Sequence, residues 1–172
     1  MRGTVFVDAE RCVACKRCML ECAVTHSRAG TLVEAMAEKP VPRPRVSLHA
    51  MGEYSVPLQC RHCENAQCIA VCPTGAMHRL GKEGPVLIDE RLCVGCRSCM
   101  IACHFGVPTM SRDGKRITKC DQCIARLDAG MKPACVTACH TAALTFVSVE
   151  EQRARMTVPL WKREPKFGEG TR

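Results

Sequence analysis

Sixteen cysteines in a chain of 172 residues carry whatever chemistry this protein has. The most legible run is Cys93-Val94-Gly95-Cys96-Arg97-Ser98-Cys99-Met100-Ile101-Ala102-Cys103, a C-x2-C-x2-C-x3-C pattern. That is the spacing of a bacterial-type 4Fe-4S site: three closely spaced thiolates wrap three corners of one cubane, and the fourth opens a helix and reaches a neighbouring cluster. One such run therefore implies a partner. Cys12, Cys15, Cys18 and Cys22 repeat the same spacing, and the copy extends to neighbouring residues, Cys12 to Leu20 against Cys93 to Ile101. Cys60, Cys63, Cys68 and Cys72 read C-x2-C-x4-C-x3-C, and Cys120, Cys123, Cys135 and Cys139 read C-x2-C-x11-C-x3-C. Four groups consume all sixteen cysteines.

Three other uses of cysteine compete with this one. A disulfide scaffold needs an oxidising compartment, and nothing here directs export. A structural zinc site joins two separated C-x2-C pairs, whereas the first and third groups each carry three ligands within seven residues. Burial of unligated thiols as small hydrophobes does not account for sixteen in register.

The elements that must hold these loops have little else to pack. Aromatic residues make up only 3% of the chain. A small scaffold so poor in large apolar side chains leans on metal for its core. The formal charge of +8 would raise nucleic acid or an acidic membrane as partner. An oxidised cubane held by four thiolates is, however, an anion of about −2, and four of them offset that charge. The aromatics that would stack bases are also missing. No apolar run approaches the roughly 20 residues of a membrane span, and Met1-Arg2-Gly3 leads almost directly into a ligand loop without a signal peptide or paired-arginine signal. A cytoplasmic location is expected.

Along the chain, Thr4 to Asp8 alternates as a strand and feeds the first group, and Leu87 to Leu92 repeats that approach to the third. Leu32 to Met36 suit a short helix, Pro40, Pro42 and Pro44 forbid regular structure, and Arg45 to His49 offer a strand. This excursion is either a docking surface or a lid over clusters. Hairpins are expected around Gly81-Lys82-Glu83-Gly84 and around Ser111-Arg112-Asp113-Gly114. Arg126 to Met131 predicts a helical turn ended at Gly130. Leu144 to Val149 predicts a last strand paired antiparallel with the first. From Glu150 the tail is charged and broken by Pro159 and Pro165, and reads either as an arm that orders on a partner through Trp161 or as a frayed end.

Four groups in this order, with x4 only in the second and x11 in the fourth, resemble the four-cluster electron-transfer subunits typified by those of dimethyl sulfoxide reductase and formate dehydrogenase. The resemblance covers residues 1 to about 149 and includes Gln59-Cys60-Arg61-His62-Cys63-Glu64, Lys119-Cys120-Asp121-Gln122-Cys123 and Pro133-Ala134-Cys135-Val136. In length, and in Glu21 to Ser27, the chain is similar to the small iron-sulfur subunits that serve carbon monoxide dehydrogenases and tungsten aldehyde oxidoreductases. The resemblance implies an α+β fold of two interleaved bacterial-ferredoxin-like modules with short antiparallel hairpins, short helices and a cluster-centred core. Residues 1–29 plus 111–149 would form one module, 50–110 the other, 30–49 a connecting excursion, and 150–172 a partner-binding tail.

The same resemblance implies four 4Fe-4S clusters with crossed ligands. Cys12, Cys15, Cys18 and Cys139 would hold one, and Cys120, Cys123, Cys135 and Cys22 its neighbour. Cys60, Cys63, Cys68 and Cys103 would hold the third, and Cys93, Cys96, Cys99 and Cys72 the fourth. With every iron corner thiolate-ligated no position is open to substrate, so the chain is expected to be a non-catalytic electron carrier. Its partners would be a catalytic subunit of tungsten/molybdenum-pterin or nickel-iron type and a second redox partner such as a flavin subunit, a hydrogenase or a soluble ferredoxin. The rival class is a multi-zinc adaptor or nucleic-acid-binding protein. The family usually has Pro after the fourth cysteine of a group; here only Cys72 does, while Ala23, His104 and His140 stand at the other three sites. Either those imidazoles donate to a cluster, or Pro is dispensable where the loop is otherwise fixed. Met19 and Met100 are expected to pack on clusters, and His62 to lie beside a cluster without ligating it.

Overall fold

The computed structural model describes residues 3–148, 150, 151 and 154. The reading of Trp161 as an anchor lies outside these residues.

Four two-stranded antiparallel ribbons and six short helices are strung between the cysteine loops. Strand β1 (Thr4–Val7) pairs with β8 (Leu144–Val147), Val5 opposite Phe146, as the alternation at both ends of the chain predicts. Strands β4 (Met77–Arg79) and β5 (Val86–Ile88) form one of the expected hairpins, and β6 (Thr109–Met110) and β7 (Ile117–Thr118) the other. The expected strand at Arg45 to His49 is shifted to β2 (Ser47–Met51), and it pairs with β3 (Tyr54–Leu58), a strand absent from the sequence reading. Gly52, with φ +62°, supplies the tight turn between them. β3 contains Pro57, which it tolerates because in a two-stranded ribbon every strand is an edge.

The six helices are α1 (Arg17–Thr25), α2 (Leu32–Ala37), α3 (Gln67–Ala70), α4 (Ser98–Ile101), α5 (Ile124–Asp128) and α6 (Ala134–Thr137). The helical turn expected at Arg126 to Met131 begins two residues earlier, because Cys123 takes a left-handed φ of 52° and opens α5 directly behind it. Apolar packing gathers into two clusters. One contains Val5, Cys18, Cys22, Val46, Cys135 and Leu144, with Val7, Met19, Cys139 and Phe146 against it. The other contains Met77, Cys99 and Ile117, flanked by Cys68, Cys72, Ile88, Cys93, Met100 and Met110. Cysteine is thus a principal constituent of both, and no large aromatic fills either centre.

Candidate iron-sulfur sites

The same local geometry recurs in all four cysteine groups. The second spacer residue of each C-x2-C loop is left-handed: Ala14 (φ 56°), His62 (48°), Gly95 (67°) and Gln122 (63°). Such a residue turns the chain sharply enough for consecutive thiols to converge. The third cysteine is in each case the second residue of a helix: Cys18 in α1, Cys68 in α3, Cys99 in α4 and Cys135 in α6. After the fourth cysteine a left-handed residue closes three of the loops, with Gly75, Gly106 and Ala142 donating N–H to the carbonyls of Cys72, Cys103 and Cys139. These turns are alike whether Pro73, His104 or His140 follows the cysteine, so proline is dispensable there. In the first group α1 runs on through Cys22, and Ala23 occupies a helix interior that proline would break. His104 and His140 are both exposed.

All sixteen thiols are unpaired. Cys60, Cys63, Cys68 and Cys103 line one cavity, together with Arg61, His104 and Lys119. Cys72, Cys93, Cys96 and Cys99 line a second, floored by Met77, Ile88 and Ile117. The other eight sort by their electrostatic neighbours. Burial pushes the Cys18 thiol up to about 11, and Cys139, Cys15 and Cys12 add to it. Burial likewise raises Cys135, reinforced by Cys120, Cys123 and Cys22 and, last, by Cys18. Burial takes Cys120 to about 12, with Cys22 and then Cys60 adding to the rise. Cys99 rises to about 11 by burial, with Cys68 the next contributor.

These thiols fit a cationic, thiophilic group. Burial keeps the protons on Cys18, Cys99, Cys120 and Cys135 unless a metal takes the thiolate form. Backbone N–H groups are also aimed at the sulfurs: Arg45 at Cys22 (3.2 Å), Gln122 at Cys120 (3.3 Å), Met77 at Cys72 (3.4 Å), Ile117 at Cys93 (3.4 Å) and His62 at Cys60 (3.5 Å). Such bonds stabilise negative charge on sulfur and tune a cluster's potential. At the exposed Cys96 the Ser98 hydroxyl and N–H hold the thiol below its ordinary value.

One network escaped the sequence reading because its members are far apart in the chain. His26, at the end of α1, places Nδ1 at 2.7 Å from the Cys22 carbonyl and 3.7 Å from its sulfur, and Nε2 at 3.0 Å from Asp121. Asp121 receives Arg45 at 2.7 Å on its other oxygen and the Cys123 N–H at 3.0 Å. Burial disfavours charge on His26, but the bond to Asp121 prevails, helped by Cys123 and Cys22, and lifts the imidazole to about 12. Asp121, opposed by burial, is held well below the usual carboxylate range by His26 and Arg45. His26, Asp121 and the Cys123 thiol offer ligand atoms within 4.8 Å of one another. The carboxylate is fully engaged by these donors, which makes the trio an ion-pair network beside Cys22 and Cys123. His62 is the opposite case: burial, then the neighbouring Lys119, lowers it to about 3, so its ring is neutral.

With this geometry in view, comparison with known proteins becomes specific. Residues 51–149 match the family model described as a 4Fe-4S dicluster domain. The chain is 36% identical over 157 residues to the B subunit of the anaerobic dimethyl sulfoxide reductase of Haemophilus influenzae, covering 87% of this chain and 76% of that one. The chain belongs to this 4Fe-4S dicluster family. It is also 36% identical over 169 residues to the corresponding subunit of Escherichia coli, at 87% and 75% coverage. The thiosulfate reductase electron transfer subunit PhsB of Salmonella typhi shares 35% identity over 153 residues, 88% of this chain and 78% of that one. These relatives are named as subunits of reductase complexes, and this chain is an iron-sulfur electron-transfer subunit of that kind, non-catalytic by itself. Among the described residues no helix is long and apolar enough to cross a membrane.

Proposed function

We propose that this chain moves single electrons through four 4Fe-4S clusters between a catalytic oxidoreductase subunit and a second redox partner. The ligand sets are Cys12, Cys15, Cys18 and Cys139; Cys120, Cys123, Cys135 and Cys22; Cys60, Cys63, Cys68 and Cys103; and Cys93, Cys96, Cys99 and Cys72. The observation that carries this reading is that cysteines of successive sets are electrostatic neighbours. Cys18 acts on Cys135, Cys60 on Cys120, and Cys68 on Cys99. Three such electrostatic influences support a line of four sets in the order just given, with the Cys12 and Cys93 loops at its two ends. When bound, the clusters supply one-electron exchange without substrate chemistry. The chain's residues space them and set potentials through the N–H groups aimed at sulfur.

In this reading residues 1–29 plus 111–149 form one module and 50–110 the other, bridged by 30–49, and the protein works in the cytoplasm. The exposed loop residues at the two ends, Val13 with Cys15 and Val94 with Cys96, are where partners dock. The catalytic partner is of tungsten/molybdenum-pterin type, a choice supported by the relatives named for dimethyl sulfoxide and thiosulfate reduction. A carbon monoxide dehydrogenase partner is the competing outcome. Elemental analysis of the complex that co-purifies anaerobically with the chain tests both parts. Iron near sixteen per chain with tungsten or molybdenum is expected. Nickel instead would reassign the partner, and zinc without iron would remove the electron-carrier reading.

A further inference from the structure

Lys119 is a buried cation without a protein counter-ion. It is 3% exposed, and its Nζ donates to the carbonyls of Val86 and Cys120. Among the described residues no carboxylate lies within ion-pair distance of it. A buried ammonium in that position is costly unless an anion offsets it. Its side chain borders the cavity of Cys60, Cys63, Cys68 and Cys103, and its charge acts on both Cys60 and Cys68. Beside it, His62 Nδ1 lies 3.0 Å from the Val86 N–H and 3.1 Å from the Val86 carbonyl, and its Nε2 is buried with no partner among the described residues. A desolvated cation thus stands at the wall of one ligand loop. The other cations near that cavity, such as Arg61, are partly exposed and screened by water.

We propose that Lys119 is the fixed counter-charge of the cluster held by Cys60, Cys63, Cys68 and Cys103, and that it selectively stabilises that cluster's reduced form. The inference rests on the four ligand sets proposed above. Reduction adds one electron, delivered by the redox partner, to a site already anionic; a desolvated positive charge at its wall favours that added electron. Removing the charge makes this cluster the harder one to reduce and breaks the downhill or level passage between the two halves of the line.

The test is an electron-paramagnetic-resonance redox titration of the full chain, purified anaerobically with its iron counted. The signal of this cluster is identified as the one altered in Cys63→Ser. In Lys119→Met that signal should titrate at lower potential, with at least a ten-fold fall in the one-electron reduction equilibrium constant, about 59 mV. The other three should shift by much less, and Lys119→Arg should restore the midpoint. An unmoved midpoint with iron still near sixteen per chain overturns this inference alone. Wild-type iron far below sixteen overturns the ligand sets and this inference with them. If Lys119→Met fails to load iron, Lys119→Gln, an uncharged donor to the same carbonyls, is titrated with the same expectation. Should both uncharged variants fail while Lys119→Arg loads, the charge itself is required at the site, as proposed. Failure of Lys119→Arg as well would show that shape, not charge, is what position 119 supplies.

Discussion

Positions 14, 62, 95 and 122 share a left-handed backbone, yet only position 95 is glycine. The reason is a neighbour. A Cβ at Gly95 would lie 2.6 Å from the Lys115 carbonyl oxygen, a backbone atom that cannot swing aside. Gly95→Ala should therefore cost about 2–3 kcal/mol, the left-handed penalty plus the clash, and show as iron lost on purification. Gly75→Ala, at the same φ but with open space around it, should cost only about 1 kcal/mol and keep its iron. At Asp121 the issue is charge balance. Asp121→Asn leaves the His26 and Arg45 cations without their shared carboxylate and should remove about 2 kcal/mol. That would lower the thermal midpoint of the loaded protein by roughly 4–8 °C.

At the level of elements, the ribbon β6–β7 does two jobs with one residue. Ile117 is 1% exposed in the Met77–Cys99 core, and its N–H points at Cys93 sulfur. Ile117→Ala deletes the packing and keeps the peptide. The expected result is a loss of about 2–4 kcal/mol in stability, read by chemical denaturation, with cluster potentials close to wild type. The ribbons were largely legible beforehand, because each is a short alternating run bounded by turn residues, and the repeated cysteine spacing fixed where loops and helices fall. What escaped were features set by tertiary context. Strand β3 went unread, and Cys123 starts α5 by a backbone conformation that no local pattern marks. His26 and Asp121 meet across 95 residues of sequence. Lys119 stood in a recognised motif, but its burial, which removes the water that would screen it, is set by the fold.

Across the whole molecule, apolar material is too sparse to hold the chain without its metal. The two packed clusters are built largely from cysteine, valine and methionine around the ligand loops. Removal of iron by oxidant and chelator should therefore collapse the fold, and far-UV circular dichroism should fall in step with the loss of visible absorbance rather than after it. Pairing of β1 with β8 carries a further consequence, for biogenesis. Thr4 waits for Val147, so the amino-terminal ribbon has no mate until nearly the whole chain has left the ribosome. In the ligand sets proposed above, Cys12, Cys15 and Cys18 emerge first and find Cys139 last. The middle of the chain, whose hairpins and thiols are close in sequence, can mature while synthesis continues. Nascent chains stalled before residue 139 should accordingly accept iron at residues 60–103 and leave the first-made cysteines open to alkylation.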